Sequence, residues 1–345
     1  MRFSLIIVFT LIVIYSCQIN DQNVYRTFQG ETMGTTYSVI CNSTDLQASA
    51  IDSILEKINA SVSTYIDSSF ISRINRSRDS IIALDTSDIL TSIFMDNLKI
   101  SDRIFRLTSG AFDPTVMPLV NLWGFGYAER ERETYPDSSR IDSILVFTGL
   151  DLIDLIEQEG QWFLKKEHPL VELDFSAVAK GYAVDAVAEH IEKTGCTAYL
   201  VEIGGEVRCE GVNESGKVWT IGINVPSSDA ELGDFSMLTE LKDMSMATSG
   251  NYRNFYEIDG IKVSHSINPG TGYPERSPLL SASIVTGSCA FADAIATSCM
   301  ILGLEASKTL IPELQEVEAY FIFGTEDGQY SEWMSEGFPE SEKIK

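Results

Sequence analysis

The fold is constrained most by residues 174–185, which read DFSAVAKGYAVD. The pattern of residues 171–175 is typical of a strand, and that of residues 178–192 is typical of a helix. Asp174 would then end the strand, and the glycine after Lys180 would let the backbone or a ligand approach that lysine closely. A strand that leads through a short turn into a helix indicates a fold of the α/β type.

Strand and helix patterns alternate along the rest of the chain as well. Residues 119–126 and 246–250 are predicted to be loops, the first of them packed. Neither an internal repeat nor a low-complexity linker is present, so we expect one compact α/β (α+β) domain of one or two lobes. Helices are predicted over residues 46–62, 87–107 and 290–302, and strands over 35–41, 198–203, 206–210, 219–225, 281–286 and 319–323.

The charge balance limits the partners that the chain can bind. It carries 50 acidic and 25 basic residues among 345, a formal net charge of -25 at pH 7. Binding through nucleic-acid phosphates needs clustered lysine and arginine, so no nucleic-acid partner is expected. The hydrophobic fraction of 44% and the charged fraction of 22% are typical of a globular protein with a substantial core.

The N-terminus has the pattern of an export signal. An apolar run over residues 3–16 follows a single arginine and is shorter than the roughly 20 residues that a membrane-spanning helix needs. Cys17 follows directly, as at a bacterial lipoprotein cleavage site, and would become a lipidated N-terminus that anchors the chain to a membrane. The alternative is an ordinary secretory signal beside an incidental cysteine. We therefore predict a signal peptide over 1–16, a tether over 17–27, a main domain over 28–330 and an acidic tail over 331–345.

Five cysteines remain after position 17, and none of them stands in a CxxC pair. An odd number without that spacing does not indicate a disulfide scaffold. Most are expected to be small buried side chains. A disulfide between two of them stays open if the protein is exported to an oxidising compartment. The five are Cys41, Cys196, Cys209, Cys289 and Cys299.

Two oxygen-bearing side chains share one face of the helix predicted over residues 290–302. Asp293 and Thr297 are four residues apart, so both point the same way. A carboxylate and a hydroxyl are hard ligands suited to Mg²⁺, although an aspartate near a helix N-terminus is more often a cap. Lys180 is a compact cation suited to phosphate, with an ordinary surface lysine as the alternative.

Other candidate residues are weaker when taken alone. Met33 precedes a glycine and a strand, and Tyr65 offers an aromatic face, but both residue types are also common in cores. His265 is one of three histidines and precedes a turn-rich loop, without a second histidine at metal-ligand spacing. Walker-type, GxGxxG, GxSxG and zinc-ligand patterns are absent, which argues against common nucleotide hydrolases, dinucleotide dehydrogenases and serine esterases.

Seven short motifs follow one another along the chain: MGTTY at 33–37, AFDPT at 111–115, DFSAVAKGYAVD at 174–185, Gly204-Gly205, ATSG at 247–250, HSINPGTG at 265–272 and AFADAIAT at 290–297. In this order they resemble the ApbE family, the FAD:protein FMN transferases, over residues 28 to 325. The resemblance implies a single T-fold-like domain, with FAD as the substrate and Mg²⁺ as the cofactor. This chain carries Glu202 and Glu206 around its glycine pair, where the family commonly has Asn and Asp.

The resemblance also implies a role for each candidate residue. The ligands of Mg²⁺ would be Asp293, Thr297 and the main-chain carbonyl of Ala177, with the carbonyl of Ala296 as a further ligand. Contacts with FAD would come from Met33, Tyr65, Ala111, Phe112, Asp113, Asp174, Lys180 and His265. Of these, Met33 and Tyr65 would hold ring faces, and Lys180 the phosphates.

The activity implied by the resemblance is cleavage of FAD, transfer of FMN to a Thr or Ser hydroxyl of a partner protein, and release of AMP. Mg²⁺ and Lys180 would stabilise charge on the phosphates, and His265 or a carboxylate such as Asp293 would help the hydroxyl attack. Two alternatives stay open: an FAD pyrophosphatase with water as the acceptor, and a non-catalytic periplasmic FAD-binding lipoprotein. We expect the protein in the cell envelope, lipid-anchored and facing the periplasm.

Overall fold

Helices and strands alternate through the computed structural model, which describes residues 24–43, 45–127, 134–227, 233–251, 255–258 and 261–344. Within these residues the strands are β1 (Arg26–Thr32), β2 (Thr35–Cys41), β3 (Ile81–Leu84), β4 (Ile153–Gln158), β5 (Gln161–Lys166), β6 (Tyr199–Ile203), β7 (Glu206–Glu210), β8 (Trp219–Asn224), β9 (Phe235–Leu241), β10 (Ser245–Gly250), β11 (Phe255–Ile258), β12 (Ile261–Ser264), β13 (Leu279–Thr286), β14 (Glu318–Gly324), β15 (Tyr330–Met334) and β16 (Ser341–Lys343). The helices of the same ranges are α1 (Ala48–Val62), α2 (Phe70–Arg76), α3 (Ile89–Leu107), α4 (Met117–Leu122), α5 (Ser138–Leu145), α6 (Ala179–Lys193), α7 (Cys289–Leu302) and α8 (Leu304–Leu310).

Eight strands form a central sheet in which every neighbouring pair is antiparallel. Their order from edge to edge is β1-β2-β6-β7-β10-β13-β14-β15. The other described strands form smaller sheets with the orders β16-β9-β8, β3-β5-β4 and β11-β12. Helices packed beside antiparallel sheets confirm the α/β (α+β) class predicted from the sequence, in a single compact domain.

Alternating side chains of the central strands contribute to two separate apolar cores, one on each face of the sheet. Ile284 and Phe321 face the helices, whereas the next residues along each strand, Val285 and Ile322, face the opposite side. Successive side chains of a strand point to opposite faces, so a continuous apolar run buries both faces of the sheet. Helices α1, α3, α6 and α7 cover one face, and β8 and β9 cover the other through residues such as Trp219.

Helix α7 lies in the middle of the helical layer. It packs against β10, β13, α3, α6 and α8. Its sequence, CAFADAIATSCMIL, is apolar nearly all round, as expected of a helix buried on every side. The helix begins after Ser288, whose side chain accepts a hydrogen bond from the backbone N–H of Phe291. A buried carboxylate in such a helix, at Asp293, requires polar partners nearby.

Most predicted elements are confirmed to within a few residues at each end, but residues 171–175 do not form a strand. The backbone there is satisfied by other groups. Leu173 N donates to Asn75 Oδ1 at 2.8 Å, Asn75 Nδ2 donates to Leu173 O at 2.8 Å, and Asp174 N donates to Pro114 O at 2.7 Å. A buried side-chain amide replaces the strand partner that the apolar pattern predicts.

Two predicted loops contain regular structure. Residues 246–250 belong to β10, which pairs with β13 on one side and with β7 on the other. Alanine and glycine are depleted in strands, so this pairing is decided mainly by the neighbouring strands rather than by local preference. Helix α4 spans Met117–Leu122 and therefore includes the first part of the loop predicted over 119–126. Pro118 lies in its first turn, where proline is well tolerated.

The ends of the chain differ from the sequence prediction in one respect. Residues 331–345 are predicted as an acidic tail, but they contribute to β15 and form β16. Apolar side chains between the acidic ones explain this: Trp333 stacks on Phe321 with ring centroids 5.0 Å apart. The predicted signal peptide and Cys17 lie outside the described residues. None of the helices in the described ranges has the length and apolarity to cross a membrane.

Candidate functional site

A cavity of about 970 Å³ lies between the central sheet, α4, α7 and the loop that follows β12. Its volume is at the upper end of what ligand pockets usually offer, so it suits a large ligand. Most of the residues that the sequence predicted for the site line this one cavity. They are Tyr65, Ala111, Phe112, Asp113, Asp174, Ala177, Lys180, His265, Asp293 and Thr297.

Lys180 and Asp293 meet because helices α6 and α7 approach each other at a glycine. An added Cβ at Gly181 would lie only 2.3 Å from Cys289 O. Asp293 Oδ2 accepts a hydrogen bond from Gly181 N at 3.1 Å, and Asp293 Oδ1 lies 3.8 Å from Lys180 Nζ. The missing side chain therefore lets the two charged groups, far apart in sequence, face each other in the cavity.

Glu206 joins these two residues in a buried group of charges. Its Oε1 accepts a hydrogen bond from Lys180 Nζ at 2.9 Å, and its Oε2 has no hydrogen-bond partner among the described residues. Glu206 and Asp293 are 4% and 2% exposed. Burial alone would lower the pKa of Lys180, but Asp293 and Glu206 raise it above its ordinary value, so the lysine stays a cation. Burial, with a contribution from Asp293, raises the pKa of Glu206 against the opposing effect of Lys180.

The Gly204-Gly205 turn brings Glu206 to Lys180. Both glycines have positive φ, 63° and 105°, which side-chain-bearing residues rarely adopt. A Cβ at Gly204 would also lie 2.8 Å from Thr35 Cγ2. The turn is held by a hydrogen bond from Gly205 N to Glu202 Oε1 at 2.7 Å. Strand β7 starts directly after it, which fixes Glu206 at the cavity wall.

Asp185 holds the start of α7 against α6. Its carboxylate accepts hydrogen bonds from the hydroxyl of Ser288 at 2.8 Å and from the backbone N–H groups of residues 289 and 290 at 3.1 and 3.0 Å. Arg208 Nη1 donates to the same carboxylate at 3.0 Å. A carboxylate at a helix N-terminus satisfies free N–H groups and interacts favourably with the helix dipole. Because Asp185 belongs to α6, this contact fixes the relative position of the two helices.

Hydroxyl groups line the wall next to the charged residues. Thr297 Oγ1 and Ser249 Oγ are 3.1 Å apart, and Thr248 Oγ1 and Ser283 Oγ are 2.8 Å apart, with either atom able to donate in each pair. Asp293 and Thr297 both reach the cavity, so the predicted shared face of α7 is confirmed. Ser249 and Thr248 are available because residues 246–250 form a strand and not a loop.

Asp174 and Asp113 stabilise turns in another part of the cavity wall. Asp174 Oδ1 accepts hydrogen bonds from Ser176 N at 3.0 Å and from Ser176 Oγ at 2.5 Å, just before Ala177. Burial raises the pKa of Asp174, and these hydrogen bonds oppose the increase. Asp113 Oδ1 accepts from Thr115 N at 2.8 Å and from Thr115 Oγ1 at 2.6 Å. Burial raises the pKa of Asp113 to about 6 despite these bonds.

Aromatic side chains occupy the rim and the interior of the cavity. Tyr65 is 68% exposed, so its ring face is accessible to a ligand, whereas Phe112 is buried. His265 lies in the loop after β12, and its ring meets Phe125 edge-on with centroids 6.3 Å apart. These positions are compatible with holding a flat ring system at the cavity entrance.

Met33 and Ala296 are predicted site residues that do not appear among the described residues lining the cavity. Met33 forms the turn between β1 and β2 with φ 51° and packs against the helical core. Ala296 is fully buried in α7. Glu206 and Ser249 also line the cavity, although the sequence analysis assigns no role to either. Glu206 directly follows the Gly204-Gly205 pair, and Ser249 directly precedes the glycine of the ATSG motif; these positions are the signals that could have indicated site residues.

The arrangement can bind a large ligand that carries anionic groups. Lys180 supplies the cation, and the carboxylates and hydroxyls around it can accept hydrogen bonds. In the described part of the chain, no group of three or more His, Cys, Asp or Glu residues could hold a metal ion. A divalent cation would therefore need hydroxyl, main-chain or ligand oxygens in addition to a carboxylate. Fold and site together define an α+β protein with a large cavity suited to such a ligand.

Comparisons with known proteins identify the family. A sequence model of the ApbE family matches residues 33–321. A FAD:protein FMN transferase of Vibrio cholerae serotype O1 is 36% identical over 345 residues, which cover 98% of this chain and 98% of that protein. A FAD:protein FMN transferase of Haemophilus influenzae is 35% identical, over 88% of this chain and 87% of that protein.

Solved structures agree with the sequence comparisons. The flavin transferase ApbE from Vibrio cholerae superposes with a TM-score of 0.79 at 34% identity, covering 91% of this chain and 98% of that one. The apo form of the flavinyl transferase ApbE from Pseudomonas stutzeri gives a TM-score of 0.78 at 30% identity, covering 91% of this chain and 95% of that one. The chain belongs to the ApbE family, as the seven motifs predicted.

Proposed function

We propose that this protein is a FAD:protein FMN transferase. It cleaves the pyrophosphate of FAD and attaches FMN through a phosphoester bond to a Thr or Ser hydroxyl of a partner protein. The phosphorus–oxygen bond to AMP breaks, a phosphorus–oxygen bond to the acceptor forms, and the acceptor hydroxyl loses its proton. The observation that carries the proposal is the cation of Lys180, held in the cavity by two buried carboxylates, in a chain that is similar over nearly its full length to a FAD:protein FMN transferase.

Lys180 is the residue suited to the phosphates. Two carboxylates keep it charged, and it reaches the cavity wall with a side chain that is 30% exposed. A fixed cation opposite developing phosphate charge stabilises the transition state more than the ground state. Tyr65, Phe112 and Asp113 are suited to the rings and hydroxyl groups of the nucleotide, since they line the same cavity. His265 is a further candidate for contact with the phosphates or for proton transfer.

Mg²⁺ is the cofactor that the residues fit. Asp293 and Thr297 present a carboxylate and a hydroxyl in the cavity, and Ala177, whose main-chain carbonyl would be a further ligand, lines the same cavity. The donor set consists of hard oxygen atoms, which Mg²⁺ prefers, and it leaves positions for ligand phosphates. Asp293 and Glu206 bring two buried carboxylates against one lysine, and this excess of negative charge also favours a cation. When bound, Mg²⁺ would neutralise charge on the pyrophosphate.

The test uses the purified full-length protein with FAD, Mg²⁺ and a candidate acceptor protein. We expect in-gel flavin fluorescence on the acceptor, an added FMN on a Thr or Ser by mass spectrometry, and an equal amount of AMP. If AMP is released at the same rate with and without acceptor protein, and no acceptor protein carries attached flavin, the protein is a pyrophosphatase instead. Retention of FAD without AMP release would contradict any transferase activity.

We also propose that the protein is lipid-anchored at Cys17 in the cell envelope and faces the periplasm. Support comes from the apolar run over residues 3–16 and the cysteine directly after it. Expressed in bacteria, the full-length chain should sediment with membranes, and Cys17→Ser should release or mislocalise it. Wild-type protein found only in the soluble periplasmic fraction would contradict lipidation.

A further inference from the structure

Glu206 has one carboxylate oxygen that the described protein groups leave without a partner. The side chain is 6% exposed, and Oε1 accepts a hydrogen bond from Lys180 at 2.9 Å. Oε2 is buried, has no hydrogen-bond donor among the described residues, and belongs to a residue of the cavity wall. Buried carboxylate oxygens are normally satisfied, so an unpartnered one in a ligand cavity indicates a group supplied by a ligand.

The surroundings of Glu206 leave room for that ligand. A Cβ at Gly205, the preceding residue, would meet no atom within 4 Å. The hydroxyls of Thr297 and Ser249 lie 3.1 Å from each other, and neither is hydrogen-bonded to Oε2. Lys180 is engaged with the other oxygen of Glu206 and lies 3.8 Å from Asp293. A donor for Oε2 can therefore come from a reactant bound in the cavity.

We propose that Glu206 Oε2 accepts the hydrogen bond of an alcohol group on a bound reactant. This inference rests on the proposed function, which supplies two such alcohols: the sugar hydroxyls of FAD and the Thr or Ser hydroxyl of the acceptor protein. A carboxylate accepts strongly from O–H donors. Because the same carboxylate holds Lys180, Glu206 would fix an alcohol next to the cation that binds the phosphates.

The decisive variant is Glu206→Gln, with Glu202→Gln as the matched control. The glutamine keeps an oxygen for Lys180 but places an NH₂ donor where Oε2 accepted. Glu202 flanks the same glycine pair, is not among the cavity-lining residues, and its Oε1 accepts from Gly205 N, which a glutamine oxygen can also do. Three quantities are measured on each protein: the Kd for FAD by flavin fluorescence, the Kd for Mg²⁺ without FAD by calorimetry, and the turnover of flavinylation at saturating FAD.

The results separate the two alcohols. If the alcohol belongs to FAD, Glu206→Gln raises the Kd for FAD by about tenfold or more, as loss of a hydrogen bond to a charged group predicts. If it belongs to the acceptor, the Kd for FAD is unchanged and flavinylation turnover falls by about tenfold or more. Glu202→Gln should change neither quantity.

Two results overturn the proposal. One is Glu206→Gln within twofold of wild type in FAD binding and in turnover. The other is a loss confined to Mg²⁺ affinity, which would make Glu206 a metal ligand. Failure of the proposed function is recognised separately, because the wild-type protein itself would then neither flavinylate an acceptor nor release AMP.

Discussion

Gly181→Ala tests whether the contact between α6 and α7 builds the site. The new Cβ would lie 2.3 Å from Cys289 O and 2.7 Å from Ala290 Cα, and both are backbone atoms that cannot rotate away. Ordinary contact begins near 3.4 Å, so the two helices have to separate by about 1.1 Å. Lys180 and Asp293 belong to different helices and lie 3.8 Å apart, so their geometry changes by a similar amount.

The expected losses follow from that displacement. A misplacement of about 1 Å can reduce turnover about 100-fold. Overpacking costs about 1–3 kcal/mol of unfolding free energy, partly offset by the gain of about 1 kcal/mol for alanine over glycine in a helix. Stability should therefore fall by at most about 2 kcal/mol, while the 100-fold loss of turnover corresponds to about 2.7 kcal/mol of activation free energy.

The assays are AMP release at saturating FAD and urea unfolding. Gly287→Ala is the matched control, because it lies just before α7 and its added Cβ would meet no atom within 4 Å. If Gly181→Ala keeps wild-type turnover, close packing of α6 on α7 does not position the charged groups, and the reasoning is wrong.

Three further predictions concern individual side chains. Asp293→Ala should abolish Mg²⁺-dependent FAD cleavage and Thr297→Ala should reduce it less, since a hydroxyl is the weaker ligand; wild-type activity of Asp293→Ala at low Mg²⁺ contradicts this. Tyr65→Ala should raise the KM for FAD by an amount equivalent to about 1–3 kcal/mol of binding free energy, whereas Lys180→Ala should lower turnover at saturating FAD. Unchanged turnover of Lys180→Ala at saturating FAD refutes the electrostatic role of Lys180. The pKa of Asp113 is raised in the folded state to about 6 from an ordinary 3.8. The contribution of Asp113 to the free energy of unfolding is thus full below pH 3.8 and is lost as the pH rises through about 6. Asp113→Asn should remove this loss, because asparagine does not titrate. Equal pH dependence of urea unfolding in the wild type and the variant would count against the prediction.

The sequence by itself determined which residues can do chemistry and much of the local structure. Helical spacing placed Asp293 and Thr297 on one face, because that periodicity is a property of the backbone and needs no neighbours. The apolar pattern predicted α1, α3, α6 and α7 to within a few residues. The ordered motifs indicated the family, which the comparisons confirm.

Only the tertiary structure decided where polar groups without a local pattern belong. Residues 246–250 form a strand because they pair with β13 on one side and with β7 on the other. Residues 171–175 do not form a strand, because the side chain of Asn75 makes hydrogen bonds with their backbone instead. Glu206 reached Lys180 through contacts between segments that are distant in sequence. Such pairings depend on the packing of whole elements, and local propensities carry no record of them.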